Sequence, residues 1–264
     1  MAGPTTAERG ARQQESSGPP LVRRLGPRRL RMIITLTLAV VLLGAGVVWV
    51  LYGSQWLRVD RVSVSGTRVL TPQQVREAAD VPVGAPIVSV DTAAIEARLR
   101  AELPRVDTVD VVRSWPHGID LNVTERIPVL LVQKGRNFVE VDDEGVRFAT
   151  VSVAPQGVPL LELATSSSSS ASASLRRFGE DRLVREAVKV AGDLPAAVAR
   201  DTRTLKVRSY DDISLELSGG RAVVWGSAER GAEKARTITA LMKASPDARH
   251  FDVSVPTAPA SSGS

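Results

Sequence analysis

PRVDTVDVVRSWPHGIDLNVTERIP, residues Pro104 to Pro128, is the stretch on which the reading of the fold turns. Pro104 ends whatever helix precedes it, because it lacks an N–H and its ring crowds the preceding turn. Val106 to Trp115 and Ile119 to Glu125 are rich in β-branched residues and read as two strands. Pro116-His117-Gly118 joins them as a hairpin turn. In the second strand Ile119, Leu121 and Val123 point one way while Asp120, Asn122 and Thr124 point the other, so one face is buried and one is wet.

Upstream, Asp91 is placed to cap a helix in which Ile95, Leu99 and Leu103 recur on one face. Pro82, Gly84 and Pro86 form the loop before it. Thr71-Pro72-Gln73-Gln74 supplies a hydroxyl N-cap, a proline at the first helical position and a glutamine at N3, which predicts a short helix to Ala79. Arg61 to Ser65 alternates like a strand and stops at Gly66. The order from Leu57 to Arg126 is therefore β-α-α-β-β.

Further upstream lies an uncharged apolar run, Met32 to Tyr52. At ~1.5 Å per residue it spans roughly 31 Å, the thickness of a bilayer core. Arg28, Arg29 and Arg31 abut its start, and Trp49, Tyr52 and Trp56 cluster at its end. Basic residues mark a cytoplasmic flank and amphipathic aromatics an interface, so the N-terminus is expected inside and the rest outside. A cleaved signal fits poorly, because the run is too long and the residues after Tyr52 make a poor cleavage site. The formal net charge is +5. Arg9, Arg12, Arg23, Arg24, Arg28, Arg29 and Arg31 against Glu8 and Glu15 account for all of it, so the charge marks the anchor's flank rather than a nucleic-acid surface. The absence of cysteine excludes structural disulfides and thiol chemistry.

Downstream, Pro128 to Gln133, Phe138 to Val141 and Val146 to Ala149 read as strands, with Asp142-Asp143-Glu144-Gly145 as a turn. Thr165 to Ser174 is a serine tract, expected to be a flexible insertion. A helix is expected over Glu180 to Ala191. Strands follow at Leu205 to Tyr210, Ile213 to Leu217 and Ala222 to Trp225, and Ser227 is placed to cap a last helix. His250 to Val255 is read as the final strand, ended by Pro256.

Pro104-Arg105-Val106, Val109 to Arg113, Trp115-Pro116, Ile119 to Val123 and Glu125-Arg126 with Pro128 together resemble the signature of the bacterial cell-division family FtsQ, called DivIB in Gram-positive organisms. The likeness continues through Val62, Val64 and Gly66, Asp142 to Gly145, and Val158 to Leu161. It resumes at Val224-Trp225-Gly226 with Lys234, and at Phe251 to Pro256. The serine tract is extra, and Trp225 stands where an aliphatic residue is more usual. The arginine-rich, alanine- and valine-rich composition suggests a GC-rich bacterial genome, and the resemblance is to the actinobacterial members of the family.

The resemblance implies an α+β fold. A single N-terminal transmembrane helix would be followed by a POTRA domain and then a mixed α/β domain whose antiparallel sheet ends in an edge strand. The expected division is a disordered basic cytoplasmic tail (1–31), a signal anchor (32–52), a POTRA domain (57–126), a β domain (127–257) and a disordered tail (258–264). Gly66, Pro104, Trp115, Pro116, Glu125 and Pro128 would be structural hallmarks of the POTRA frame, with Trp115 read as a core or lid residue. The implied role is a non-enzymatic divisome scaffold at the septum that binds FtsB- and FtsL-type membrane proteins and links them to the septal peptidoglycan synthase. No cofactor, metal, nucleic acid or small-molecule substrate is expected, and lipid contact is confined to the anchor. Asp252, Val253, Ser254 and Val255 are expected to form an edge strand that a partner segment completes.

Two other classes compete with this reading. A membrane-anchored cell-wall enzyme would need a catalytic constellation, but the chain holds only His117 and His250, in different blocks, and no G-x-S-x-G elbow. A POTRA-bearing translocation component would carry several POTRA copies or a barrel. The Asp142 to Gly145 run lacks the spaced ligands of a calcium loop.

Overall fold

The computed structural model describes residues 27–163, 177 and 179–263. The expectations for the tail before residue 27 and for the serine tract lie outside these residues. Two units are distinguished, Met1–Ser54 and Gln55–Ser264.

The first unit contains helix α1, Pro27–Gly53, which is long and apolar enough to cross a bilayer. It begins at Pro27, before the expected Met32. Proline suits a first helical turn and arginine is a good helix former, so Arg28, Arg29 and Arg31 lie within the helix.

In the second unit, strands β1 (Arg61–Ser65), β2 (Val106–Ser114) and β3 (Gly118–Glu125) form a small sheet ordered β1-β3-β2. The hairpin β2–β3 is antiparallel, while β1 runs parallel to β3 with Val62 opposite Ile119 and Val64 opposite Leu121. A parallel pair needs a long crossover. Here α2 (Pro72–Ala79) and α3 (Thr92–Glu102) lie between β1 and the hairpin, and bury Val75, Ile95 and Leu99 with Ile119, Leu121 and Val123 in the core of this lobe. Both helices start as the sequence predicts. Thr71 and Gln74 close a reciprocal capping box, and Asp91 accepts from the Ala94 N–H at 3.0 Å. Gly66 adopts φ 82°, and a Cβ there would sit 2.0 Å from the Val123 carbonyl oxygen, so no other residue fits this turn. Glu125 is buried at the end of β3 and accepts from three successive N–H groups of the loop after β1, those of Arg68, Val69 and Leu70, at 2.7–3.1 Å.

The larger sheet holds β4 (Leu130–Lys134), β5 (Asn137–Val141), β6 (Arg147–Val151), β7 (Leu160–Leu163), β8 (Thr202–Ser209), β9 (Asp212–Leu217), β10 (Ala222–Gly226), β11 (His250–Asp252) and β12 (Ala260–Ser262). Their order is β12-β11-β10-β9-β8-β7-β4-β5-β6. The sheet is mixed: β7 runs parallel to both β4 and β8, and β10 is parallel to β11. Helices α4 (Glu180–Asp193), α5 (Ala196–Asp201) and α6 (Gly231–Ala244) accompany it. Leu183, Val184, Ala187, Val198 and Ile238 pack with Leu205, Ile213, Leu215, Val223, Trp225 and Phe251 into one core. The α6 cap expected at Ser227 falls at Arg230 instead. The Ser227 hydroxyl accepts from the Glu229 N–H at 3.3 Å, which spends it on the approach turn.

The two sheets are joined by charge. Arg105, in the turn before β2, reaches Glu140 of β5 at 2.5 Å and lies 5.2 Å over the Phe148 ring of β6. Arg126, just after β3, bonds the Asp142 carboxylate and approaches Glu144 at 3.3 Å and Asp107 at 3.4 Å. The two arginine backbones meet as well, with the Arg126 N–H donating to the Arg105 carbonyl at 2.8 Å. Asp142 also makes its own turn, accepting from the Glu144 and Val146 N–H groups at 3.0 and 2.7 Å. Burial opposes the Arg126 charge, but the hydrogen bond and charge of Asp142, with Glu144 and Asp107, outweigh it and raise its pKa above the ordinary value. Glu140 and Asp142 are 3% and 1% exposed, so removing a partner strands a buried charge. Asp142→Ala should cost about 3–5 kcal/mol of stability in denaturant titrations of the detergent-solubilised chain. In a double-mutant cycle, adding Arg126→Met should cost far less than it does alone.

Candidate partner-binding site

Asp252 to Val255 sit at the end of the large sheet farthest from β6. The expected strand stops at Asp252. Its Oδ1 accepts from the Ser254 N–H at 2.9 Å and the Ser254 hydroxyl at 2.6 Å, a local turn that competes with further pairing. Val253 is buried and donates to the Val224 carbonyl at 3.0 Å, so Val253 still holds the backbone to β10. Ser254 and Val255 then turn away from the sheet. The Val255 carbonyl accepts from Ala258 at 3.0 Å, and the Thr237 hydroxyl donates to the Pro256 carbonyl at 3.4 Å.

The expectation of an open edge along this segment, followed by a disordered tail, is corrected. Ala260–Ser262 folds back as β12, antiparallel to β11, placing His250 opposite Ser262, Phe251 opposite Ser261 and Asp252 opposite Ala260. The sheet does end in an edge strand, but that strand is β12. Alanine and serine carry no apolar pattern, so only the fold-back of the backbone marks it.

Three features shape the neighbourhood. Gly226 ends β10 at φ 78°, and a Cβ there would lie 2.9 Å from the Ser254 Cβ, so glycine lets the two backbones approach. Lys234 of α6 is 2% exposed and donates to the carbonyls of Trp225 at 2.9 Å and Ser227 at 2.7 Å, which pins the turn containing Gly226. Its ammonium lies 6.0 Å from the Trp225 ring. Val224 and Val255 are 42% and 52% exposed and give the site apolar surface beside its backbone groups.

Burial pushes the Lys234 pKa below the ordinary lysine value of 10.5. Glu229 and Asp252 pull it back, and Arg230 adds to the depression. Nothing in the sequence marks this lysine as buried, since it occupies an ordinary charged position between Glu233 and Ala235.

The other expected residues are scattered. Pro104 follows the end of α3 and its cap Leu103. Pro128 precedes β4 and lines a hollow of about 620 Å³ with Val129, Pro159 and Val188. Trp115, whose peptide bond to Pro116 is cis, is 54% exposed on the β2–β3 hairpin, not in the core. His117 lies 3.7 Å from Asp60 in that lobe, and His250 opens β11 in the other. Among the described residues no group of three or more His, Cys, Asp and Glu side chains is placed to hold a metal ion.

A family model described as a POTRA domain of FtsQ type matches residues 57–126. A cell division protein FtsQ from Streptomyces coelicolor is 77% identical over 264 residues, covering 100% of both chains. One from Streptomyces venezuelae is 59% identical, covering 100% of this chain and 99% of its own. One from Mycolicibacterium smegmatis is 32% identical over 209 residues, 79% of this chain and 58% of that one. The solved extracytoplasmic domain of DivIB from Geobacillus stearothermophilus is similar at 18% identity and a TM-score of 0.33, over 46% of this chain and 94% of that one.

The Lys234 geometry yields a signed prediction. The unfolded chain keeps this proton up to 10.5 while the folded chain releases it earlier, so in that window the unfolded state binds more protons. Stability should therefore rise with pH through the window, with the penalty fully present below it. Stability measured from neutrality to above 10.5 should show this rise in the wild type. The Lys234→Met chain should lack that part of the slope, and at neutral pH should lose about 1–3 kcal/mol for each carbonyl left unpaired.

Proposed function

This chain belongs to the FtsQ family of bacterial cell-division proteins, and we propose that it acts in the divisome as a non-enzymatic scaffold. In this reading α1 anchors it in the cell membrane at the division septum, with the N-terminus in the cytoplasm. Arg28, Arg29 and Arg31 on one flank and Trp49, Tyr52 and Trp56 on the other support that orientation, and the arginines suit anionic lipid headgroups. Residues 57–126 are the POTRA domain and residues 127–257 the β domain, to which the fold adds β12.

The observation that carries the binding role is the C-terminal end of the large sheet. There β10, β11 and the Asp252–Val255 turn combine exposed valines with a backbone edge held only by a three-residue strand. A partner segment in extended form completes such a sheet through main-chain hydrogen bonds, and side-chain slots supply specificity. The partners are membrane proteins of FtsB and FtsL type, which connect the scaffold to the septal peptidoglycan synthase.

Photo-crosslinking in growing cells tests the site. A probe at Val255 should capture an FtsB-type protein, and a control probe at Val153, exposed after β6, should not. Capture of that protein equally from both positions, or from Val153 alone, would remove the sheet end as its docking site.

A further inference from the structure

Strand β12 is attached almost entirely by backbone. Its residues are Ala260, Ser261 and Ser262, so it buries no side chain larger than a hydroxymethyl group. Apolar burial, the main force holding a strand to a core, is nearly absent. At its far end a single N–H, that of Arg249, is shared between the carbonyls of Ser262 at 3.2 Å and Gly263 at 2.9 Å. Among the described residues, the one side-chain hydrogen bond of β12 runs from the Ser261 hydroxyl to that of Ser245, at 3.1 Å, in the loop between α6 and β11.

Ser261 also underfills its position. It pairs with the buried Phe251, so it faces the core side of the sheet. Beside it lies a shallow hollow of about 330 Å³ lined by Ala244, Ser245, Pro246, Asp247 and Ala248 and by the tail's own Ser261, Ser262 and Gly263. A longer side chain at this register position would reach Ala244, Pro246 and Ala248, which serine is too short to cover. Residues 256–259 link β12 back to β11, with Pro256 and Pro259 limiting what the linker gains by staying ordered.

We propose that β12 is a displaceable cover over the docking edge. A partner strand enters antiparallel to β11 in its place, and its residue opposite Phe251 packs beside Ala244, Pro246 and Ala248. The partner segment is therefore extended, with a side chain longer than serine at that position. The tail keeps the edge from pairing indiscriminately until such a segment arrives. This inference rests on the docking reading given above, and it fixes where the partner strand sits: against β11, with the tail expelled.

The test measures the affinity of a fluorescent extracytoplasmic segment of the FtsB-type partner for the full chain in detergent. Two variants accompany the wild type. One ends after Thr257. The other carries His250→Cys with Ser262→Cys, which are register partners in a chain without native cysteine. If the edge is free in about one molecule in five, truncation should tighten binding about fivefold. The oxidised double-cysteine chain, with its bond verified by mass, should bind at least about tenfold more weakly, and reductant should restore it. Unchanged affinity in both the truncated and the oxidised chain would overturn the cover while leaving the docking reading intact. Absence of binding by every form would overturn both.

Discussion

The buried pairing of Arg126 with Asp142 is the interaction on which the rest of the structure depends. It ties the end of one sheet's last strand to a turn of the other sheet, and the same carboxylate folds that turn. Arg105 repeats the arrangement one strand away with Glu140. A buried carboxylate is tolerated only when paired. Each lobe therefore supplies the partner that makes the other's charge affordable, and the two sheets come as a unit.

That joint lies at the β5–β6 end of the large sheet, while the candidate docking site lies at the β11–β12 end. At roughly 4.8 Å per strand, eight steps separate the two ends by about 38 Å. A partner docked at the β11–β12 end, as proposed, would sit well away from the small sheet. Lys234 and Gly226 serve this end locally: one pins the turn after β10, and the other leaves room for Ser254. The cost of burying an ammonium there explains why its pKa is depressed.

Much of the first lobe was legible because its signals are local. The capping box at Thr71, the Asp91 cap, the alternation of β3 and the stop at Pro104 each need only a few residues of context. The family resemblance was legible for a related reason: Glu125-Arg126 with Pro128 is compact in sequence. Its physical meaning was not. Glu125 gathers N–H groups from residues 68–70, and Arg126 reaches Asp142, so both roles appear only once distant segments are brought together. Trp115 reads by residue type as core or lid, and the hairpin leaves it outside the core. At the site, periodicity carried the last strand too far, because the Asp252 side chain turns the backbone at once. The return of β12 was invisible, since a strand of alanine and serine has no hydrophobic signature.

Amide hydrogen exchange on the full chain, with and without its FtsB-type partner, tests the central claim most directly. Residues 250–252 should gain or keep protection in the complex while residues 260–263 lose it, with the small sheet unchanged. Protection arising in the small sheet, with residues 250–263 indifferent to the partner, would contradict it.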